Sequence, residues 1–220
     1  MKVLQTYLLT EKNAPASGYP FVLLFDVTFV APTGTAAIFA GTVGSGSMTE
    51  SARWWKAPGL PNNTWYCVSS DADGSHLQAG GAGGFWISTD FGATGSKPAA
   101  LPSGTYQACA CDADGSTLLA HNSYRVYIST DSGVTWADCK PAGNTNLRCE
   151  MIACDDSGAN IILTDFDRGH VHISNNSGAS WNTAYDALPY PAAVACDADF
   201  TNLIIASALG PPAGRVFTSS

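Results

Sequence analysis

The sequence predicts an all-β fold, a β-propeller of five four-stranded blades. Two observations predict it. A short phrase, Ser129-Thr130-Asp131-Ser132-Gly133-Val134-Thr135-Trp136, returns along the chain at a steady interval. Its first serine recurs at Ser47, Ser88, Ser129, Ser174 and Ser219, giving steps of 41, 41, 45 and 45 residues. A period of this size marks a propeller or solenoid. Between the copies lie short apolar runs bounded by turn residues, with no helical period. Four such runs per unit, repeated radially, make a propeller.

Residues 1–9 alternate loosely and read as an edge strand, followed by a Pro/Gly/Ser linker from Asn13 to Pro20. Two apolar runs then flank the turn Ala31-Pro32-Thr33-Gly34, and a worn copy of the phrase follows at Ser47–Trp54. The second unit sets the pattern. Its strand Tyr66–Ser70 ends in the turn Asp71-Ala72-Asp73-Gly74, where Asp bonds its own backbone and Gly takes positive φ. Strands His76–Ala79 and Phe85–Ser88 follow, and then a weakly written fourth. The third unit repeats this with Asp112-Ala113-Asp114-Gly115, the fourth with Asp155-Asp156-Ser157-Gly158 and the fifth with Asp197-Ala198-Asp199-Phe200. These strands are apolar on both faces, as a sheet packed between two others requires.

The fifth unit stops after its third strand. The N-terminal strand is unassigned, and pairing it there would close the ring and satisfy bare edges. The expected organisation is one domain, 1–220, with repeat units at about 21–60, 61–102, 103–145, 146–188, and 189–220 plus 1–10. An open arc completed by another subunit is the alternative, so a homo-oligomer or larger assembly stays open.

Composition narrows the partners. The net charge is −8, with only ten Lys and Arg, which argues against nucleic acid and anionic membranes. No apolar stretch is long enough to span a bilayer, so membrane insertion is not expected. The first ten residues make a poor signal peptide, because Gln5 and Thr6 break the apolar run. Low charge and dense turns suit an extracellular or virion surface.

Seven cysteines cannot all pair within one chain. Cys111, Cys154 and Cys196 precede the Asp turns at one repeat position and read as small core residues. Cys139 and Cys149 flank a loop and are the candidate disulfide. His170 and His172 share a strand face, but two ligands do not make a site, so no metal and no cofactor are assigned. The Asp turns lack the later carboxylates of a calcium loop.

The phrase Ser-x-Asp-x-Gly-x-x-Trp resembles the Asp-box, or BNR repeat, of sialidase-type and sortilin-type propellers, a photosystem II assembly factor and several glycoside hydrolases. It is written by Ser129, Asp131, Gly133 and Trp136, by Ser174, Asn176, Gly178 and Trp181, and in part by Ser88, Asp90 and Gly92. The resemblance implies that these residues brace the blades and do not catalyse. A sialidase site is not matched: the arginines are Arg53, Arg125, Arg148, Arg168 and Arg215, the glutamates Glu11, Glu50 and Glu150, and no Arg-Ile-Pro motif occurs.

The reading is therefore a non-catalytic structural or binding propeller that contacts a protein or a glycan. Trp54, Trp55, Trp65 and Tyr66 are the candidate contact aromatics. The alternative is a glycoside hydrolase with an unrecognised carboxylate pair.

Overall fold

The computed structural model describes residues 60–186, 188, 190–207 and 215–219, with the backbone of 39–40 and 55–56. The proposed N-terminal strand, the worn Ser47–Trp54 phrase and Trp54 lie outside the described residues, as does the side chain of Trp55. Every regular element among the described residues is a strand. Two short ones, β1 (Phe39–Ala40) and β2 (Trp55–Lys56), pair with each other.

The remaining strands form four antiparallel sheets in chain order. Blade A comprises β3 (Trp65–Ser70), β4 (Leu77–Gly81) and β5 (Gly84–Ser88). Its weak fourth strand is reduced to one bridge, Ile87 to Ser96. Blade B comprises β6 (Tyr106–Cys111), β7 (Leu118–Asn122), β8 (Arg125–Ser129) and β9 (Ala137–Asp138). Blade C comprises β10 (Cys149–Cys154), β11 (Ile161–Asp165), β12 (His170–Ser174) and β13 (Asn182–Tyr185). Blade D comprises β14 (Pro191–Cys196), β15 (Leu203–Ser207) and β16 (Val216–Ser219).

The register is the same in all four. Ser70, Cys111, Cys154 and Cys196 pair with Leu77, Leu118, Ile161 and Leu203. Each first strand also carries a bulge near its start. The first strands β3, β6, β10 and β14 stand side by side, while the outermost strands β9 and β13 are exposed along their length. This radial order of sheets, inner strand to inner strand, is a β-propeller.

The core lies in the seams between blades. Phe85 of blade A packs with Tyr106, Cys109 and Ala120 of blade B. Leu119, Val126 and Ile128 of blade B pack with Leu147, Ile152, Ile161 and Leu163 on the blade C side. Ile162 and Val171 of blade C pack with Val194 of blade D. The middle strand β11 is buried at every residue, so its apolar run serves two seams at once. Each such buried Leu or Ile contributes about 1.5–3 kcal/mol.

Backbone hydrogen bonds join the blades as well. The N–H of Ala72 donates to the carbonyl of Ala113, that of Ala113 to Asp156, and that of Asp156 to Ala198, at 3.0–3.1 Å. The Asp turns thus form a belt along the inner rim, linking each blade to the next.

Candidate functional site

A propeller blade has two ends, and the chain uses them differently. One end carries the Asp turns and the repeated Ser-x-Asp-x-Gly turns. The other carries the β4–β5, β7–β8 and β11–β12 turns and the connectors that run from each outer strand to the next inner strand.

At the first end, the three boxes are nearly superposable in their bonding. In blade B, Ser129 Oγ donates to Asp131 Oδ1 at 2.7 Å, and the N–H of Gly133 donates to Ser129 Oγ at 2.8 Å. The N–H of Thr135 donates to Asp131 Oδ1 at 2.7 Å, and its hydroxyl to Oδ2 at 2.6 Å. Ser88, Asp90, Gly92 and Thr94 repeat this in blade A. Ser174, Asn176, Gly178 and Ser180 repeat it in blade C, with Asn176 Oδ1 in place of one carboxylate oxygen and the last bond reversed, Asn176 Nδ2 donating to Ser180 Oγ at 2.8 Å. These hydrogen bonds, first from the Thr135 side chain, hold the Asp131 carboxyl below its usual range, and the Thr94 side chain leads the same effect at Asp90. Their capacity is spent inside the turn.

The box tryptophans and glycines reach across the seams. Trp136 packs edge-on against Phe85 of blade A, with ring centres 5.7 Å apart. Trp181 Nε1 donates to the carbonyl of Cys139, at the end of blade B. Gly178 has φ 76° and lies so close to Cys139 that an added Cβ would meet its Cβ at 2.9 Å.

The Asp turns use their carboxylates in the same local way. Asp197 accepts from the N–H and side-chain amide of Asn202 and from Thr201, which pull its carboxyl down to about 2. The cysteines that precede these turns are half-buried thiols. Burial pushes Cys111 and Cys196 up to about 11.

The candidate Cys139–Cys149 bond is absent, and both residues are free thiols. The reason is the path of the connector. It leaves the outer strand β9 at Cys139, beside Gly178 and Trp181, and crosses the blade to reach the inner strand β10 at Cys149. Both thiols are buried in the seam.

The other end gathers more varied chemistry. The β11–β12 turn presents Phe166, Asp167 and Arg168. Arg148 pairs with Glu150 at 3.0 Å and Asp167 at 3.2 Å, and its guanidinium lies 4.5 Å over the Phe166 ring. Phe166 in turn meets Tyr190, just before β14, with ring centres 5.2 Å apart. Tyr190 is 45% exposed, and Met151 and Tyr124 are exposed too. Tyr66, at the start of β3, is 53% exposed. Trp65 is not a free platform: it packs against Trp86 with ring centres 5.0 Å apart.

Beneath this patch, in the seam between blades B and C, lies a buried polar cluster. Asp165 ends β11 and pairs in register with His170 of β12, so both face one side, as does His172 two residues on. The two imidazoles meet edge-on, with ring centres 5.7 Å apart. Donor atoms of Asp165, His170 and His172 lie within 4.8 Å of one another. Asp165 is fully buried; Oδ2 accepts from Arg168 at 3.0 Å and Oδ1 has no partner. Asn144 donates to His172 Nε2 at 3.2 Å, while Nδ1 lies 3.3 Å from Thr183 Oγ1. Burial lowers the His172 pKa, and His170 and Arg168 add to this against Asp165. Burial likewise lowers that of His121, which lies 3.2 Å from the carbonyl of Leu147. Sequence reasoning singled out the two histidines and missed Asp165. Its signal was available: counting back across the four-residue turn puts Asp165 opposite His170.

No family model matches the chain, and no curated protein matches it. Solved structures do match it. A nidogen/laminin complex aligns over 84% of this chain and 78% of that one, at TM-score 0.60 and 18% identity. A GH74 enzyme of Niastella koreensis aligns over 76% of this chain but only 26% of its own length, at TM-score 0.58 and 20% identity. YCF48 bound to D1 peptide aligns over 67% of this chain and 49% of that one, at TM-score 0.53 and 16% identity. All-β propellers of this kind include enzymes and non-enzymatic binders, so the likeness establishes the fold and leaves the activity to the site.

Proposed function

We propose that the chain is a non-catalytic binding module that holds a protein partner on its connector end. The observation that supports this best is the patch of Arg148, Phe166 and Tyr190. A guanidinium stacked on one ring, which packs on a second and exposed ring, is the composition of an interface anchor. Arg and Tyr dominate binding energy where they sit in packed surroundings. The exposed Met151 and Tyr124 lie at the same end. Two structural neighbours are themselves propellers in complexes, a nidogen/laminin complex and YCF48 bound to D1 peptide.

The carboxylates support the non-catalytic reading. Among the described residues, each carboxylate whose pKa is displaced, Asp73, Asp90, Asp114, Asp131, Asp155 and Asp197, is displaced downward. A glycosidase acid needs the opposite shift. At the connector end, Glu150 and Asp167 are paired with Arg148 and Asp165 with Arg168. The same reading assigns the chain to an extracellular or virion surface, which its low charge and dense turns support. It also keeps the count of five blades.

Panning a displayed peptide library on the full chain, beside a glycan array and a glycan-hydrolysis assay, tests the proposal. Apolar or aromatic peptides should be enriched, and Tyr190→Ala should weaken them by roughly tenfold or more. Sugar release from a glycan with no peptide enriched would overturn it in favour of the hydrolase.

A further inference from the structure

We propose that Asp165, His170 and His172 form a binding site for a first-row transition dication of the zinc class, in the seam between blades B and C. Two imidazoles and a carboxylate are the donors such ions prefer, and three protein ligands leave a fourth position open. The residues converge because of register: Asp165 and His170 are cross-strand partners, and His172 follows on the same face. Their donor atoms are all within 4.8 Å of one another. Bonds of about 2.0–2.2 Å place donors roughly 3.3 Å apart around a tetrahedral ion, so small rotamer changes complete the shell.

A second observation points to a ligand. Asp165 is fully buried, yet Oδ1 has no hydrogen-bond partner. A buried carboxylate oxygen without a partner is costly, and a bound cation removes that cost. The other oxygen is already oriented by Arg168 at 3.0 Å, as ligating carboxylates commonly are. If Nδ1–H of His172 donates to Thr183 Oγ1, its Nε2 lone pair is the metal-binding one, now met by Asn144 at 3.2 Å. The amide gives way when the ion enters. His170 is only partly buried and provides the path in.

The chain also carries seven thiols, which compete for zinc, so the test separates the two donor sets. Full-length protein is stripped with chelator and titrated with Co²⁺ and then Zn²⁺, followed by visible absorption, calorimetry and metal content. A single equivalent should bind with d–d bands and no thiolate charge-transfer band, and Zn²⁺ should displace it. His172→Gln and Asp165→Asn should each lose roughly tenfold to a hundredfold in affinity or more. His76→Gln, at the opposite end, should bind as the parent does. His170→Gln changes a partly buried side chain, and thermal melts of each apo variant show whether it is folded. Unchanged binding in a folded His170→Gln variant, a thiolate band, or no stoichiometric binding by the parent would each overturn the proposal.

Discussion

The indole N–H of Trp181 donates to the backbone carbonyl of Cys139, 2.5 Å away, and so bonds the box of one blade to the end of the blade before it. Trp136 makes the corresponding reach by packing, edge-on against Phe85. The boxes are thus seam closures as well as turns. Trp181→Phe keeps a ring and removes the donor. It should cost about 1–3 kcal/mol, because a part-buried carbonyl loses its partner. Trp136→Phe loses only a bond to the carbonyl of Gly133 within its own turn, and should cost less in the same urea titration.

Glycines separate the demand of φ from that of the seam. Gly74 has φ 81° with nothing within 4 Å of an added Cβ, whereas Gly178 has φ 76° and meets Cys139 at 2.9 Å. Gly74→Ala should cost about 1–2 kcal/mol from the left-handed backbone alone. Gly178→Ala should cost about 2–5 kcal/mol, the same strain plus overpacking. Equal losses in denaturant titration would mean that the seam is looser than described.

The Asp turns predict an acid limb. The Asp197 carboxyl is held at about 2, first by the N–H of Asn202. A depressed folded pKa means stability that is complete above the unfolded value, about 4, and is lost as pH falls toward 2. Thermal midpoints should be flat near neutral pH and fall between about pH 4 and 2. Carboxyl NMR should find Asp197 titrating near 2; a midpoint close to the ordinary 3.8 would contradict the turn geometry.

Burial also predicts the thiols. With Cys111 and Cys196 raised to about 11 and Cys139 to about 12, the folded chain holds them as thiols at pH 8. Iodoacetamide should label them slowly until urea is added, as mass spectrometry would show. Rapid labelling in the folded state would contradict the seam packing. A Cys139–Cys149 crosslink in the purified chain would contradict the connector path.

Much of the fold was legible because repetition exposes it. The serines at 88, 129 and 174 mark equivalent turns, and the Asp turns mark equivalent strand ends; both recur with matching bonds. The weak fourth strand of the second unit is indeed only the Ile87–Ser96 bridge. What was not legible is non-local. The Ala72–Ala113–Asp156–Ala198 belt runs through backbone groups that any side chain would allow. A nine-residue loop between Cys139 and Cys149 suggests a crosslink until its radial path is seen. Asp165 looks like one more turn aspartate until the hairpin register sets it against His170.

Bracing falls to the box end, and the proposed binding to the connector end. The most direct measurement is a paired one, thermal midpoint and affinity for a selected peptide, on Asp131→Ala and Tyr190→Ala. Asp131→Ala should lower the midpoint and leave affinity within about twofold, while Tyr190→Ala should weaken the peptide by roughly tenfold at an unchanged midpoint. Loss of affinity in a stable Asp131→Ala protein, with Tyr190→Ala binding normally, would contradict the account.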